Sequence, residues 1–258
     1  MEITYIEHSG VAVETDKKIL VFDYYKGQMP ELDNNKSIFV FASHVHEDHF
    51  NFEIFNLAEK YKDITYILSN DIKRKYNKKY FEKRGVSEGI YEKIFFISHD
   101  KKEEINGITV ETLLSNDCGV AFIVTADGKK IYHSGDLNDW VWHGEGEEFN
   151  RNITAAYKKE IDKIKGRHFD VAFAVVDPRQ NDDFYKGAYY LFKNVTADIF
   201  VPIHFWGDSS VVEKLRCHAS AQNWKNIIAG SISLKNVNGL NFARNFTESE
   251  YIHTPWII

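Results

Sequence analysis

The run Ser43-His-Val-His-Glu-Asp-His49 places four side chains able to bind divalent metals, His44, His46, Asp48 and His49, within six residues. Before it, Ser37 to Ala42 is apolar, β-branched and aromatic and reads as a buried strand; after it, Phe52 to Tyr61 carries apolar residues at helical spacing. The motif therefore sits on a strand-to-helix connection. Alternate residues of extended backbone share a side, so His44 and His46 point together, while the turn into the helix can swing Asp48 and His49 toward a neighbouring position. Two imidazoles for one ion, and a carboxylate plus an imidazole for a second, is what a two-metal hydrolytic centre needs. The competing reading is a set of solvated loop histidines with Asp48 as a helix cap, but three histidines and an aspartate at this spacing rarely mean only that.

Two more candidates stand at strand ends. Lys130-Ile-Tyr-His-Ser-Gly-Asp136 reads as a strand running into a glycine turn that presents Asp136, a carboxylate able to bridge two ions, and Asp198 to Ile203 reads as a strand ending at His204. Alone, Asp136 would be a turn residue and His204 a satisfied buried histidine. Beside the first run they read as ligands. The segment Asp139-Trp-Val-Trp-His-Gly-Glu-Gly146 leaves the Asp136 turn, so Trp140, Trp142 and His143 are placed either to line a pocket or to form an ordinary surface loop, and Phe205 and Trp206 join the same expected wall. Arg179, after Asp177-Pro178, is open to two roles: receiving a substrate carboxylate or phosphate, or a structural ion pair.

The elements that must position these groups alternate. Strands are expected at Glu2 to Glu7, Val11 to Thr15 and Ile19 to Phe22, ending at Asp23, then Ile64 to Leu68, Ile94 to Ile97 and Ile108 to Leu114. A hairpin follows, Val120 to Thr125 and Lys130 to His133 around Ala126-Asp127-Gly128. Helices are expected at Asp71 to Arg84, Phe149 to Lys165, Asp183 to Phe192 and Val211 to Ser220, with strands at Phe169 to Val176 and Ile199 to Ile203. Two successive rounds of strands and helices, each ending in a strand tipped by His or Asp, imply a four-layer αβ/βα sandwich with the strand ends along one edge.

With 258 residues and 43% hydrophobic composition, one domain spanning 1–258 is the expectation. The net charge of -6 offers no broad footprint for nucleic acid, although Lys73 to Lys79 is locally basic and reads as a solvated helix face. The first residues lack a signal-peptide pattern and no segment has the length of a membrane span, so no membrane partner is expected. Cys118 and Cys217 are too few and too far apart for a disulfide framework, which suits a reducing cytoplasm.

Taken together, the chain resembles the metallo-β-lactamase superfamily of metal-dependent hydrolases. His44, His46, Asp48 and His49 match its HxHxDH signature, Asp136 its bridging aspartate, His204 its last histidine and Asp23 its early strand-end aspartate. Glu7-His-Ser-Gly10 and Tyr132 to Asp136 are most similar to the small stand-alone branch that includes the L-ascorbate 6-phosphate lactonases. The resemblance implies the αβ/βα sandwich of that superfamily and two divalent ions, with zinc the first expectation and manganese or iron the alternatives. One departure stands out. The histidine that family members usually carry between the first motif and the bridging aspartate is missing, and the corresponding stretch reads Leu114-Ser-Asn-Asp-Cys-Gly119. Asp117 is the favoured replacement; Cys118 as a thiolate, or two histidines completed by Asp136 and water, are the alternatives.

The expected ligand sets are His44, His46 and Asp117 for the first ion, Asp48, His49 and His204 for the second, and Asp136 between them. Asp48 is also a candidate for orienting the nucleophile, and Asp23 for holding a ligand histidine by a hydrogen bond. Two ions so held would bring the pKa of a bridging water toward about 7, supporting hydrolysis of an ester, lactone, amide or phosphodiester bond in a small molecule. A diiron redox protein on the same fold is a second class, although flavodiiron members usually carry glutamate where His46 stands. A catalytically silent metal-binding module is the third.

Overall fold

The computed structural model describes residues 1–219, Trp224, Ile227 and Ile228, and the backbone of 234–235, 241–242 and 255–257. The first sheet contains β1 (Glu2–Glu7), β2 (Gly10–Glu14), β3 (Lys18–Phe22), β4 (Ser37–Ala42), β5 (Ile64–Ser69) and β6 (Ile94–Ile97), side by side in chain order. β1 to β3 form an antiparallel meander, and β3 to β6 run parallel. On the far edge of β1 the strand Pro255–Ile257 pairs antiparallel, with Ile3 opposite Trp256. The second sheet contains β7 (Lys102–Ile105), β8 (Ile108–Leu114), β9 (Val120–Ala126), β10 (Lys129–His133), β11 (His168–Val175) and β12 (Thr196–Ile203). Its first four strands are antiparallel and its last three parallel. β7 is a strand that composition concealed, because Lys102-Glu-Glu is charged and exposed; it is held as an edge by pairing with β8.

The sheets meet through aromatic side chains. Phe22 and Phe41 stack with centroids 4.6 Å apart, Phe41 meets Phe122 of the opposite sheet edge-on at 5.2 Å, and Phe22 stacks on His133 at 5.0 Å. These rings are fully buried, so each contributes the transfer energy of a large apolar side chain, and truncating one costs about 3–5 kcal/mol. The outer face of the first sheet is covered by short helices, α1 (Leu57–Lys60), α2 (Asn70–Lys75), α3 (Lys78–Lys83) and α4 (Glu88–Tyr91), through a cluster including Phe55, Tyr66 and Phe81. The second sheet is covered by α5 (Glu147–Asp162), α6 (Lys186–Asn194) and α7 (Ser210–Ala219), which bury Tyr157, Ile161, Leu191, Phe192 and Leu215. Helix, sheet, sheet, helix is the four-layer order that the sequence implies.

Local chemistry explains the departures. The expected helix from Asp71 to Arg84 is two helices, because the Asn77 side chain accepts from Tyr80 N at 3.0 Å and starts a new one. Phe52–Asn56 is a 3-10 turn opened by Asn51, leaving a single α turn after it. The last residue expected in α7, Ser220, lies outside the described residues.

Since β4, β5, β10, β11 and β12 are parallel members of their sheets, their C-terminal ends lie along one edge of the sandwich, as does the end of β3. β1 runs in the same direction as β3, through two antiparallel pairings, so its end lies there too. The approach of the two sheets at this edge is close enough to require glycine. Gly119 has φ +66, and a Cβ built there would collide with Ser43 O and lie 2.6 Å from His44 Cβ. Gly128, in the β9–β10 turn, has φ +78 and nothing within 4 Å. Gly128→Ala should therefore cost only the left-handed penalty, about 1–2 kcal/mol. Gly119→Ala should cost that plus an overpacking penalty of about 1–3 kcal/mol. Equilibrium urea unfolding of both variants measures the difference; equal losses would show that the Ser43–Gly119 contact is not tight.

Candidate metal centre

Seven residues singled out in the sequence come from four separate strand ends and meet in one cleft. The segment after β4 turns at Ser43, and His49 N and Phe50 N both donate to His46 O, which curls the motif into a tight loop. His44 and His49 are fully buried and their rings lie 4.1 Å apart. Asp136 follows β10, and Trp140 Nε1 donates to its carbonyl at 2.8 Å. His204 follows β12 in a left-handed conformation with φ 65, its N–H donating to His8 O at 3.0 Å.

The donor atoms form two groups, each close enough to hold one ion: His44, His46, Asp117 and Asp136; and His8, Asp48, His49 and His204. Asp136 faces both. Its Oδ2 lies 3.6 Å from His44 Nε2, while its Oδ1 lies 3.0 Å from His49 Nε2 and 3.2 Å from His204 Nε2. His46 Nδ1 and Asp117 Oδ2 stand 3.5 Å apart on the open side of the cleft. Asp48 Oδ2 is 3.7 Å from His49 Nε2 and 3.9 Å from His204 Nε2.

Several of these inward-facing atoms are buried and make no hydrogen bond: His44 Nε2, His49 Nε2, His204 Nε2 and Asp136 Oδ1. Leaving such atoms unpartnered costs about 1–3 kcal/mol each, more where charge is involved. Nitrogen and carboxylate donors orphaned on one point are satisfied together by cations, so the residues fit a metal pair.

Behind the donors sit groups that fix them. Asp23, after β3 and fully buried, accepts from Ser43 N at 2.7 Å and Ser43 Oγ at 2.6 Å, and its Oδ2 is 2.7 Å from His49 Nδ1. Burial raises its carboxyl, but His49, His133 and His44 more than compensate and hold it below its ordinary value. Burial likewise opposes charge on His49, yet Asp136 and Asp23 on either side hold the ring well above the usual imidazole value. His44 is pushed down to about 4 by burial and by neighbouring His49. Asp177, after β11, lies 3.0 Å from His204 Nδ1 and accepts from Arg179 through both oxygens.

Asp117 lies with the first group, and burial, then Asp136, raises its carboxyl. Cys118 points elsewhere: its thiol is 3.2 Å from Asp71 Oδ2, and burial and Asp71 push it up to about 12, which disfavours a thiolate. Trp140 and Trp142 stack at 5.6 Å and line the cleft, which has a volume of about 650 Å³ and is also walled by Tyr25, Phe149 and Trp206. Two expected wall residues are not there. Phe205 is fully buried and stacks on Tyr5 at 5.2 Å, because His204 and Trp206 turn inward and outward around it. His143 is exposed and pairs with Asp183 at 3.5 Å. Arg179 takes the ion-pair role with Asp177 and also borders the cleft, its guanidinium 4.7 Å from the Trp206 ring centre. Sequence reasoning did not place His8 among the donors or Asp177 behind His204. The available signal was position: each stands at the C-terminal end of a strand, as Asp23 does.

Residues 2–151 match the family described as the Beta-lactamase superfamily domain. The chain belongs to the metallo-β-lactamase superfamily. No curated protein matches it. Among solved structures it is similar to Igni18, a metallo hydrolase from the archaeon Ignicoccus hospitalis, at 14% identity over 86% of this chain and 91% of that one, with a TM-score of 0.56. It is also similar to the isothiocyanate hydrolase from Delia radicum gut bacteria, at 14% identity over 95% and 99% of the two chains, TM-score 0.52. CmlA, a diiron β-hydroxylase from Streptomyces venezuelae, shares 11% identity over 86% of this chain and 51% of its own, TM-score 0.56. At these identities the likeness is one of fold.

Asp23 offers a direct test of how the superfamily centre is supported here. Asp23→Asn keeps the shape but can no longer accept from both Ser43 donors and the imidazole as an anion. Metal affinity should fall about 10–100-fold. Competition with a chelator measures this, and an unchanged affinity would show that His49 does not need its buried partner.

Proposed function

We propose that the protein is a metal-dependent hydrolase that holds two divalent ions between its two donor groups and cleaves a small molecule bearing an apolar or aromatic portion. The observation that carries this reading is Asp136, whose two carboxylate oxygens face opposite groups of buried, unpartnered imidazole nitrogens. His44, His46 and Asp117 would hold one ion, Asp48, His49 and His204 the other, with Asp136 shared. Bound there, the ions would supply a water ionised near neutral pH and a Lewis acid for the scissile carbonyl or phosphoryl oxygen.

The chain's own residues do the remaining work. Burial opposes charge on Asp48, but His8, His49 and His204 around it hold its carboxyl well below the ordinary range, so it stays an acceptor that can orient a proton of the nucleophile. Trp140, Trp142, Phe149 and Trp206 offer apolar faces that exclude water from one side of the cleft. Arg179 brings a positive charge to its rim. Burial opposes that charge, yet Asp177 keeps the guanidinium firmly protonated. The likeness of Glu7 to Gly10 and Tyr132 to Asp136 to the lactonase branch makes lactones one arm of a substrate panel, with esters, thioesters, amides and phosphodiesters as the others.

A diiron redox protein is the second reading, favoured by one feature: Asp117 and Asp136 give the first group two carboxylates, a donor set suited to harder ions such as manganese or ferrous iron. Elemental content separates the two. Purified protein should carry close to two ions per chain, and Asp136→Ala should lose at least one of them together with all turnover of the panel. Full activity in Asp136→Ala would overturn the bridging assignment, while iron with a visible absorption band and no hydrolysis would favour the redox reading.

Asp117 sets the metal preference. Replacing it by histidine exchanges an anionic oxygen for a neutral nitrogen, so zinc affinity should rise relative to manganese. Paired titrations with the two metals report the ratio. If Asp117→Ala leaves stoichiometry and preference as they are, Asp117 is a turn residue only.

A further inference from the structure

His8 is buried at the end of β1 and carries two ring nitrogens, neither of which makes a hydrogen bond. A neutral imidazole has one N–H to donate and one nitrogen to accept, and the only acceptor close to the ring among the described residues, Asp48 Oδ2 at 3.3 Å from Nε2, is not aligned for a hydrogen bond, so burial leaves the ring poorly satisfied. Its backbone is left-handed, with φ 57, a conformation that non-glycine residues adopt at a cost of about 1–3 kcal/mol and hold where the surroundings impose it. The main chain is pinned there: His8 O accepts from Tyr5 Oη at 2.9 Å and from His204 N at 3.0 Å.

We propose that His8 is itself a ligand of the second ion, which then has three imidazoles, from His8, His49 and His204, beside Asp48 and Asp136. This rests on the two-ion reading above. A ring nitrogen of His8 lies within 4.8 Å of the donor atoms of Asp48, His49 and His204. Donors around one zinc at bond lengths of about 2.0–2.1 Å stand roughly 3.3 Å apart in a tetrahedron. His8 Nε2 and Asp48 Oδ2 are 3.3 Å apart.

A role behind Asp48, rather than on the ion, would call for an aligned hydrogen bond of the kind that joins Asp23 to His49 and Asp177 to His204. His8 makes none. Its ring is held by other rings instead: its centroid is 4.0 Å from that of His204 and 4.3 Å from that of Trp206, with Tyr25 edge-on at 6.0 Å. The imidazole missing from the first group is thus matched by an additional one in the second. The pair is chemically unequal: two carboxylates serve each position, but the first has two imidazoles, one of them exposed, and the second has three, all buried.

The test uses the full chain and zinc alone. His8→Asn keeps a residue that tolerates left-handed backbone and leaves the carbonyl for Tyr5 and His204. Wild type should take up two zinc ions. In His8→Asn the first should bind as before, and the second should weaken by more than the roughly 10–100-fold that loss of an outer supporting group costs. X-ray absorption at the zinc edge should show a lower mean imidazole number. In the wild type, the His8 ring ¹⁵N resonance should move with addition of the second zinc equivalent, which keeps the test valid if the variant does not fold. Second-site affinity in His8→Asn within tenfold of wild type, or a His8 resonance unmoved by zinc, overturns the assignment while the two-ion reading stands. Uptake of only one zinc by wild type overturns both.

Discussion

The centre depends on one buried carboxylate. Asp23 sits at the end of β3, beside the parallel strand β4, and its two oxygens bind Ser43 N, Ser43 Oγ and His49 Nδ1. Those three contacts join the start and the end of the metal-binding run, so the loop between them cannot open without stripping a fully buried anion of its partners. The loop fixes His44 and His49 against each other; Ser43 O in turn accepts from Val120 N, which docks the second sheet against the first at this point. Sheet packing, loop shape and imidazole orientation are therefore settled by the same carboxylate. With Nδ1–H held by Asp23, it is the Nε2 proton, on the side of Asp136, that a metal would displace to gain the lone pair it requires.

The carboxylates of the cleft outnumber its fixed positive charges. Asp23, Asp48, Asp117, Asp136 and Asp177 all lie in or directly behind it, and Arg179, which borders it, is engaged by Asp177. Carboxylates this close raise one another, as Asp136 does for Asp117, while the histidines act in the other direction on Asp136 itself. Imidazoles answer part of that charge. Divalent cations answer it more completely and satisfy the unpartnered lone pairs at the same time, which is why the same residues that look overcharged as side chains look well matched as a donor set.

Much of this was legible in the sequence because the chemistry is local. His44 to His49 declares itself within six residues, and Asp136 and His204 follow short runs with β-branched and aromatic residues that read as strands. The layer order was equally readable, since alternating strand and helix patterns in two rounds leave few ways to cover two sheets. What was not legible depends on tertiary pairing. His8 stands far from the main run in sequence and becomes a neighbour of Asp48 only because β1 runs in the same direction as β3. β7 is charged along its exposed edge and shows no strand pattern of its own. Phe205 looked like part of an aromatic wall, but adjacent residues in a turn face different directions, and its side chain went into the core against Tyr5.

The two orienting carboxylates show how the sheets share the task. Asp23 follows β3 of the first sheet and holds His49; Asp177 follows β11 of the second and holds His204. Each stands at the C-terminal end of a strand beside a parallel neighbour, and in each case the histidine it holds follows that neighbour, β4 or β12. Parallel strands have to place consecutive ends at the same edge, so a carboxylate at one end and an imidazole at the next come within reach without any long-range adjustment. Asp177 adds a second duty, since Oδ2, the oxygen that fixes His204, also accepts from Arg179, and the Arg179 guanidinium lies over Trp206 and near Trp142. The orientation of a buried donor and the shape of the cleft mouth are thus coupled through a single side chain.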